Sequence, residues 1–345
     1  MSTLSQNIVA DLEAFLPENA SEPIFVLTDT NTAAHCLPLL QCGRLAQAQV
    51  ITIPSGDEHK TLDTLAQVWT ALVERGATRH SLLVNVGGGV VTDLGGLAAA
   101  TFKRGICFVN VPTTLLGAID AATGGKTGIN FCGLKNEIGL FASAEAVLID
   151  TRFFRTLDRQ NLLSGFAEML KHALISNETL LHETLAFDLD KFPDEELNTL
   201  INKNLAVKEK IIASDPTECG IRKALNFGHT FGHAFETLSH TTDRPLLHGY
   251  AVMWGMVCAL YLSYQKFNFP KAILTEILYF AKENYGAFPF DCKQYDTLLT
   301  LMHHDKKNRA QTINFTLLAG VGEVCIDQTA DKNDIFAALD FVREN

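Results

Sequence analysis

The amino-acid sequence predicts an α/β domain over residues 1–157, followed by a mainly α-helical domain over residues 158–345. In the first part, short runs rich in β-branched residues alternate with helical or glycine-rich stretches, whereas long helical patterns fill the second. A chain of 345 residues has room for two domains, because domains commonly run to about 150 residues. We expect the functional site to lie in the cleft between them.

Five short apolar runs in the first part are predicted to be β-strands. Each is nearly continuous in apolar residues and is bounded by Gly, Pro or Asp, which is typical of strands buried on both faces of a parallel sheet. The runs are PIFVLTD (23–29), VITI (50–53), SLLVNV (81–86), CFVNVP (107–112) and EAVLID (145–150).

The second part is predicted to be mainly helical, with one small hairpin near its end. The helical segments are NLLSGFAEMLKHALI (161–175), LNTLINKNLAVKEKII (197–212), TFGHAFETLSH (230–240) and GYAVMWGMVCALYLSYQKF (249–267). The hairpin is predicted in TINFTLLAGVGEVCI (312–326).

The composition excludes several classes of protein. With 28 Lys and Arg against 39 Asp and Glu, the formal net charge of −11 argues against binding to nucleic acid or to an anionic membrane. The longest apolar run, Ala251 to Leu262, has 12 residues. A membrane-spanning helix needs about 20, so this run is predicted to be a buried helix.

The cysteines and the N-terminus predict a cytoplasmic protein. The eight cysteines include no C-x-x-C pair, which favours buried thiols in a reducing compartment over a disulfide framework or a thiolate metal site. The N-terminal segment has no basic stretch followed by an apolar one, so we expect no signal peptide.

A glycine-rich turn follows the run SLLVNV, at Gly87 to Gly96. Glycines let the backbone approach a pyrophosphate closely, and the start of the next helix offers free N–H groups, so the turn predicts a Rossmann-like nucleotide-binding domain. Thr92 stands where the third glycine of the motif is usual, and a tight strand-to-helix turn is the alternative. Asp93 fits either a helix-start acid or a cofactor contact.

The segment after VPTTLL is rich in glycine and carries two lysines, Lys126 and Lys135. A solvated loop is one interpretation. Because the segment is also apolar, the lysines favour the binding of an anionic ligand, with Asp120 and Asn136 available to bind hydroxyl groups.

Four residues of the second part are candidate metal ligands. Glu168 lies in an apolar helical segment, where an unpaired carboxylate would be costly. His229 and His233 are spaced i, i+4 on one helix face, and His248 opens the next helix. One Glu and two His with a vacant position are typical of a catalytic divalent-metal site, above all of zinc. A single histidine is more often structural.

Further charged and polar residues surround that histidine helix. Lys171 follows Glu168 by one turn and projects from the same face. Charges on a helix surface are the alternative for each of them, and this alternative is weakest for Arg222 and Asn226, which precede GHTFGH directly. The others are Lys208, Glu218 and Lys306.

The chain resembles the 3-dehydroquinate synthase family of sugar-phosphate cyclases. The resemblance runs in order along nearly the whole chain, through PSGDEHKTL, NVGGGVVTDLGG, FKRGICFVNVPTTLLGAID, GGKTGIN, GLKNEIG, GFAEMLKHALI, RKALNFGHTFGHAFE and LLHGYAV. This chain departs from the usual pattern at Asp57, where the family often has Glu, at Thr123, and at FASAE.

The resemblance implies a carbon–oxygen lyase that uses NAD and a divalent metal, zinc or cobalt. Its substrate would be a seven-carbon keto acid phosphate, DAHP, which it would cyclise to 3-dehydroquinate with loss of phosphate, as a homodimer. Implied metal ligands are Glu168, His229 and His248, and implied catalytic residues are Glu218, His233, Lys126 and Asn136. Implied substrate contacts are Arg104, Asp120, Lys126, Asn136, Glu168, Lys171, Lys208, Arg222, Asn226, His233, His248 and Lys306. Implied NAD contacts are Asp29, Thr30, Asn31, Asp57, Lys60, Gly88, Gly89, Val90, Asp93, Thr113, Thr114, Lys135, Phe153 and Thr156.

Two alternatives stay open. A sibling cyclase of the 2-epi-5-epi-valiolone synthase or 2-deoxy-scyllo-inosose synthase type would act on a sugar phosphate without a carboxylate, and Lys208, Arg222 and His233 argue against it. A metal-dependent, NAD-dependent alcohol dehydrogenase would release NADH stoichiometrically.

Overall fold

The computed structural model of the chain describes residues 2–40, 43–132, 134–242, 245–303 and 312–345. The chain divides into two compact units, Met1–Asp158 and Arg159–Asn345. The first unit is an α/β structure built on a parallel sheet and the second is mainly helical, so the predicted fold class is confirmed.

The first unit contains eight strands and four α-helices within its described residues. The strands are β1 (Ser2–Leu4), β2 (Ile24–Asp29), β3 (Gln49–Ile53), β4 (Leu82–Gly87), β5 (Cys107–Pro112), β6 (Lys126–Phe131), β7 (Leu134–Phe141) and β8 (Ala146–Ile149). The helices are α1 (Ile8–Glu13), α2 (Thr30–His35), α3 (Leu62–Glu74) and α4 (Gly89–Thr101).

Six of these strands form one sheet, in the order β1-β8-β5-β4-β2-β3, with every pairing parallel. The five predicted strands are β2, β3, β4, β5 and β8, and all five are confirmed. The sequence missed β1, and it missed the antiparallel hairpin of β6 and β7, whose segment it interpreted as a glycine-rich ligand-binding block.

Helix α4 packs closely on its neighbours because Gly95 and Gly96 lie side by side in its middle. A Cβ at Gly95 would lie 2.0 Å from Asn85 Oδ1 on β4, and one at Gly96 would lie 2.6 Å from Thr127 Cγ2 on β6. Every residue of β4 is buried, as expected for a strand covered on both faces. The close packing fixes the start of α4 at the end of β4.

The second unit is built from helices and one hairpin. Its helices are α5 (Arg159–Leu174), α6 (Glu178–Leu185), α7 (Asp194–Ser214), α8 (His229–Ser239), α9 (His248–Phe267), α10 (Lys271–Tyr285), α11 (Tyr295–His303) and α12 (Lys332–Glu344). The hairpin consists of β9 (Asn314–Gly320) and β10 (Glu323–Thr329). The predicted helices and the predicted hairpin are confirmed.

Helix α9 is the core of this unit and contacts α5, α8, α10, α12 and β9. Its apolar segment 251–262 is a buried helix, as predicted. Helices α8 and α9 approach closely, because a Cβ at Gly255 would lie 2.1 Å from Gly228 O and 2.6 Å from Gly232 N. Among the described residues, no helix is both long enough and apolar enough to cross a membrane.

The prediction that the cysteines are buried thiols is largely wrong. All seven described cysteines are free, but only Cys36 and Cys258 are buried. Burial raises the pKa of the Cys36 thiol to about 11. The four exposed cysteines are Cys107, Cys132, Cys219 and Cys292. Spacing patterns exclude particular frameworks, but they do not report side-chain exposure.

Candidate active site

Three predicted metal ligands come together in the second unit. Glu168 lies in α5, His229 is the first residue of α8, and His248 is the first residue of α9. One ligand atom from each residue lies within 4.8 Å of the other two. The Nε2 atoms of His229 and His248 are each 3.6 Å from Glu168 Oε1. These three residues could hold a divalent metal.

Glu168 is fully buried and has the Lys171 ammonium beside it. The two side chains form an i, i+3 ion pair with exposures of 0% and 1%, as their spacing predicts. A buried carboxylate is costly unless a cation or hydrogen-bond donors surround it. The Lys171 ammonium therefore stabilises the ionised carboxylate at the point where the two histidine rings approach it.

His233 lies beside the cluster, one helical turn after His229. Its ring centroid is 5.3 Å from that of His229 and 6.0 Å from that of His248. The cluster of Glu168, His229 and His248, whose ligand atoms lie within 4.8 Å of one another, does not include His233. Helical spacing alone cannot separate the two histidines of α8, because both project from one face.

The two histidine rings of the cluster are each oriented through Nδ1. His229 Nδ1 lies 3.1 Å from the carbonyl oxygen of Phe227, and His248 Nδ1 lies 3.2 Å from Glu236 Oε2. Burial lowers the pKa of His248, but Glu236 and Glu168 outweigh it and raise that pKa to about 10. Sequence reasoning missed Glu236, although the residue lies within the segment GHTFGHAFE.

A close helix contact fixes His248 relative to Glu168. Gly249 donates its backbone N–H to Ser164 Oγ at 3.0 Å, and a Cβ at Gly249 would lie 2.0 Å from Ser164 O. Ser164 precedes Glu168 by one turn in α5. The backbones of α5 and α9 therefore touch directly beside two of the three candidate ligands.

Arg222 and Lys208 are buried cations, so the alternative of solvated helix-surface charges is wrong for them. Arg222 is 2% exposed and donates from Nη1 to Pro216 O at 2.6 Å. Lys208 lies in α7 and is 4% exposed. Buried cationic side chains are uncommon unless they have anionic partners or bind anionic ligands.

A short loop holds Glu218 beside Asn226. Asn226 Nδ2 donates to Glu218 Oε1 at 2.6 Å, and Glu218 has a positive φ of 62°. The Asp215 carboxylate accepts from the backbone N–H groups of Cys219, Gly220 and Arg222 at 3.0, 2.7 and 3.0 Å. Desolvation raises the pKa of Asp215, but these bonds and Arg222 lower it overall.

The predicted cofactor residues of the first unit lie mostly along the carboxyl edge of its parallel sheet. They follow the ends of β2, β3, β4, β5 and β8, which is where α/β sheets bind their ligands. The residues at this edge are Asp29, Thr30, Asn31, Asp57, Lys60, Gly88, Gly89, Val90, Thr113, Thr114, Phe153 and Thr156. Asp29 also caps α2, since its Oδ1 accepts from the N–H groups of Asn31 and Thr32, each at 2.8 Å.

Lys60 links the start of α4 to the β6–β7 hairpin. Its Nζ donates to Asp93 Oδ2 and to Asn136 Oδ1, each at 2.5 Å. Asp93 is the fifth residue of α4 and pairs with this buried lysine, so the alternative of a helix-start acid is wrong. Asp57 forms a second ion pair at this edge, with Lys135 Nζ at 3.2 Å.

The remaining predicted substrate residues of the first unit are dispersed over its elements. Arg104 is exposed with a positive φ of 68°, Asp120 is half-buried in the π-helical turn Gly117–Ala121, and Lys126 is the exposed first residue of β6. Lys306 lies outside the described residues.

The fold is that of the sugar-phosphate cyclases. The crystal structure of 2-deoxy-scyllo-inosose synthase with carbaglucose-6-phosphate, NAD+ and Co2+ matches with a TM-score of 0.84 at 23% identity, covering 100% of this chain and 96% of that one. ValA, the 2-epi-5-epi-valiolone synthase of Streptomyces hygroscopicus with NAD+ and Zn2+ bound, matches with a TM-score of 0.84 at 25% identity and the same coverage.

Sequence comparison then identifies the family. Residues 50–164 match the family model described as 3-dehydroquinate synthase N-terminal, and residues 165–308 match the one described as 3-dehydroquinate synthase C-terminal. The 3-dehydroquinate synthase of Parabacteroides distasonis is 51% identical over 343 residues, which is 99% of this chain and 97% of that protein. The chain belongs to the 3-dehydroquinate synthase family.

Proposed function

We propose that this protein converts DAHP to 3-dehydroquinate and inorganic phosphate, a step towards the aromatic amino acids. The observation that carries the proposal is the Glu168–His229–His248 cluster, in a chain that matches a 3-dehydroquinate synthase over nearly its full length. Bound NAD would supply reversible hydride transfer, so the overall reaction would show no net redox change.

The cluster fits a divalent metal by its donor chemistry. One carboxylate and two imidazoles suit zinc or cobalt, and both ring Nε2 atoms face a carboxylate that is shielded from water. When bound, the metal would make the substrate alcohol more acidic and polarise the ketone formed from it. Glu168, His229 and His248 would hold it there.

The carboxyl edge of the first unit fits NAD by its backbone. Gly88 and Gly89 begin α4 close to Thr114, where a Cβ at Gly88 would lie 3.0 Å from the threonine methyl group. The bare backbone and the N-terminus of a 13-residue helix suit a pyrophosphate. When bound, NAD would supply the hydride chemistry. The hydrogen bond from Lys60 to Asp93 stabilises the first turns of this helix.

Cations and hydrogen-bond donors of the second unit would bind the two anionic groups of the substrate. Arg222 and Lys208 carry buried positive charge, and His233 presents its ring beside the metal ligands. A phosphate and a carboxylate are both well matched by such groups. In the first unit, Arg104, Asp120, Lys126 and Asn136 would complete the substrate contacts.

Glu218 and His233 would handle protons. Asn226 donates to the Glu218 carboxylate and fixes its direction, and Asp215 fixes the loop that carries it. His233, whose ring lies beside that of His229, carries an imidazole that could exchange a proton with a leaving phosphate.

Phosphate release is the assay that tests this proposal. Purified protein with NAD+ and a divalent metal should release inorganic phosphate from DAHP. It should release none from sedoheptulose 7-phosphate or glucose 6-phosphate. Turnover of a carboxylate-free sugar phosphate with no reaction of DAHP would favour a sibling cyclase. Stoichiometric accumulation of NADH, followed by absorbance, would indicate an alcohol dehydrogenase.

We also propose that the enzyme is a cytoplasmic homodimer. The β6–β7 hairpin supports self-association, because it exposes five large apolar side chains, at Phe131, Leu134, Ile138, Leu140 and Phe141. Contiguous exposed apolar surface commonly marks an interface between proteins. Light scattering after size exclusion should give twice the 37.8 kDa chain mass; a monomer at micromolar concentration would contradict the proposal.

A further inference from the structure

Beside the candidate metal site lies a second acidic residue, Glu236, to which the sequence assigned no role. Glu236 lies in α8, seven residues after His229, and only 2% of it is exposed. Two helical turns separate the two residues, so they share one face of α8. The acid therefore faces the same side of the helix as the candidate ligand, although it belongs to neither the ligand set nor the predicted substrate contacts.

Glu236 contacts the far side of the His248 ring. Its Oε2 lies 3.2 Å from Nδ1, while Nε2 of the same ring lies 3.6 Å from Glu168 Oε1. The Nδ1 atom of His229 instead faces a neutral carbonyl oxygen, that of Phe227, at 3.1 Å. Both rings thus direct Nε2 towards Glu168, but a neutral carbonyl oxygen orients His229 whereas a carboxylate orients His248.

We propose that Glu236 is a positioning residue for the metal, acting through His248. A carboxylate at Nδ1 holds the proton on that nitrogen, which leaves the lone pair of Nε2 for a metal and makes the ring a stronger donor. The inference rests on the proposed metal site at Glu168, His229 and His248.

Metal affinity is the quantity that tests this role. The protein is stripped with a chelator and titrated with Co2+ or Zn2+ in competition with a chromophoric chelator. We expect Glu236→Ala to bind the metal about 10–100-fold more weakly, as removal of such a partner typically does. Glu236→Gln keeps the shape and an acceptor oxygen but loses the charge, so its loss should be smaller.

Asp340→Asn is the matched control. Asp340 also hydrogen-bonds an aromatic side chain of this unit, accepting from Tyr295 at 2.6 Å, and pairs with Arg343. This variant should bind metal as the parent does. Thermal unfolding of each metal-free variant shows whether it is folded, and the isosteric Glu236→Gln provides the measurement if Glu236→Ala is not.

The outcomes separate this inference from the metal site itself. If His229→Ala loses the metal and both folded Glu236 variants bind it as tightly as the parent, the role of Glu236 is refuted and the site stands. If His229→Ala and His248→Ala also keep full affinity, the metal site is wrong. A graded loss, largest for Glu236→Ala, is the expected result.

Discussion

The methyl group added by Gly249→Ala is predicted to push the start of α9 away from α5, and with it His248 away from Glu168. The Cβ of alanine would lie 2.0 Å from Ser164 O and 2.5 Å from its carbonyl carbon and Cα. Ordinary contact begins at 3.4 Å, so the backbones must separate by about 1.4 Å. All three atoms belong to the main chain of α5, and no side-chain rotation relieves the contact.

Three effects set the cost in stability, and the third opposes the other two. Overpacking of this kind costs about 1–3 kcal/mol. Loss of the hydrogen bond from Gly249 N–H to Ser164 Oγ adds about 1 kcal/mol. Alanine favours a helix over glycine by about 1 kcal/mol, which offsets part of the loss. The free energy of unfolding is expected to fall by about 1–3 kcal/mol in total, with steric overlap as the largest of the three effects.

The effect on the metal should be larger than the effect on the fold. Ligand distances in a metal site tolerate only about 0.2 Å, so a displacement above 1 Å removes His248 from coordination. We expect at least a tenfold loss of metal affinity, measured by chelator competition, with unfolding followed by circular dichroism. Gly76→Ala is the control, because a Cβ there meets nothing within 4 Å and only the positive φ of 76° opposes it. Parental stability and metal affinity in Gly249→Ala would refute the reasoning.

Three further predictions follow from the same structure. His229→Ala should lose metal and phosphate-releasing activity together, and full metal occupancy in that variant would contradict the ligand assignment. The pKa of Asp215 lies below its ordinary value of 3.8, so its ionised form stabilises the loop above that pH, and this contribution is lost as the pH falls through the lowered pKa. Hydrogen exchange at 219–222 should accelerate over that pH range, and unchanged exchange would contradict this prediction. A thiol reagent at pH 8 should modify the exposed Cys132 and Cys292 before unfolding. Cys36 and Cys258, whose pKa values burial raises, should react only after unfolding, and early labelling of Cys258 would contradict their burial.

The elements with strong apolar patterns could be predicted from sequence. Strands β2, β3, β4, β5 and β8 are continuous apolar runs, and α9 carries the longest apolar segment. Strand β1 has three residues, too few to show a period. The β6–β7 hairpin escaped detection because its pairing depends on close backbone contact: a Cβ at Gly139 would lie 2.0 Å from Thr127 O. A strand that needs glycine for such a close approach has the same composition as a glycine-rich loop.

The candidate site shows the same division between local and tertiary information. The i, i+3 spacing of Glu168 and Lys171 predicts a shared face, and the two form an ion pair. Local spacing cannot choose between His229 and His233, because their distance from α5 is set by packing. Glu236 was missed for the same reason, since its partner His248 lies 12 residues on, in the next helix.

The charge of the site follows from local groups and is independent of the net charge of −11. Glu168 and Glu236 place two carboxylates around the His248 ring, and Lys171 neutralises one. Both histidines begin helices, where the positive end of the dipole, about half a unit charge, disfavours a protonated ring. Burial lowers the pKa of His248, but Glu236 and Glu168 raise it overall, to about 10. Carboxylates on both sides of the His248 ring suit a dication, which would bind at Nε2 in place of the ring proton.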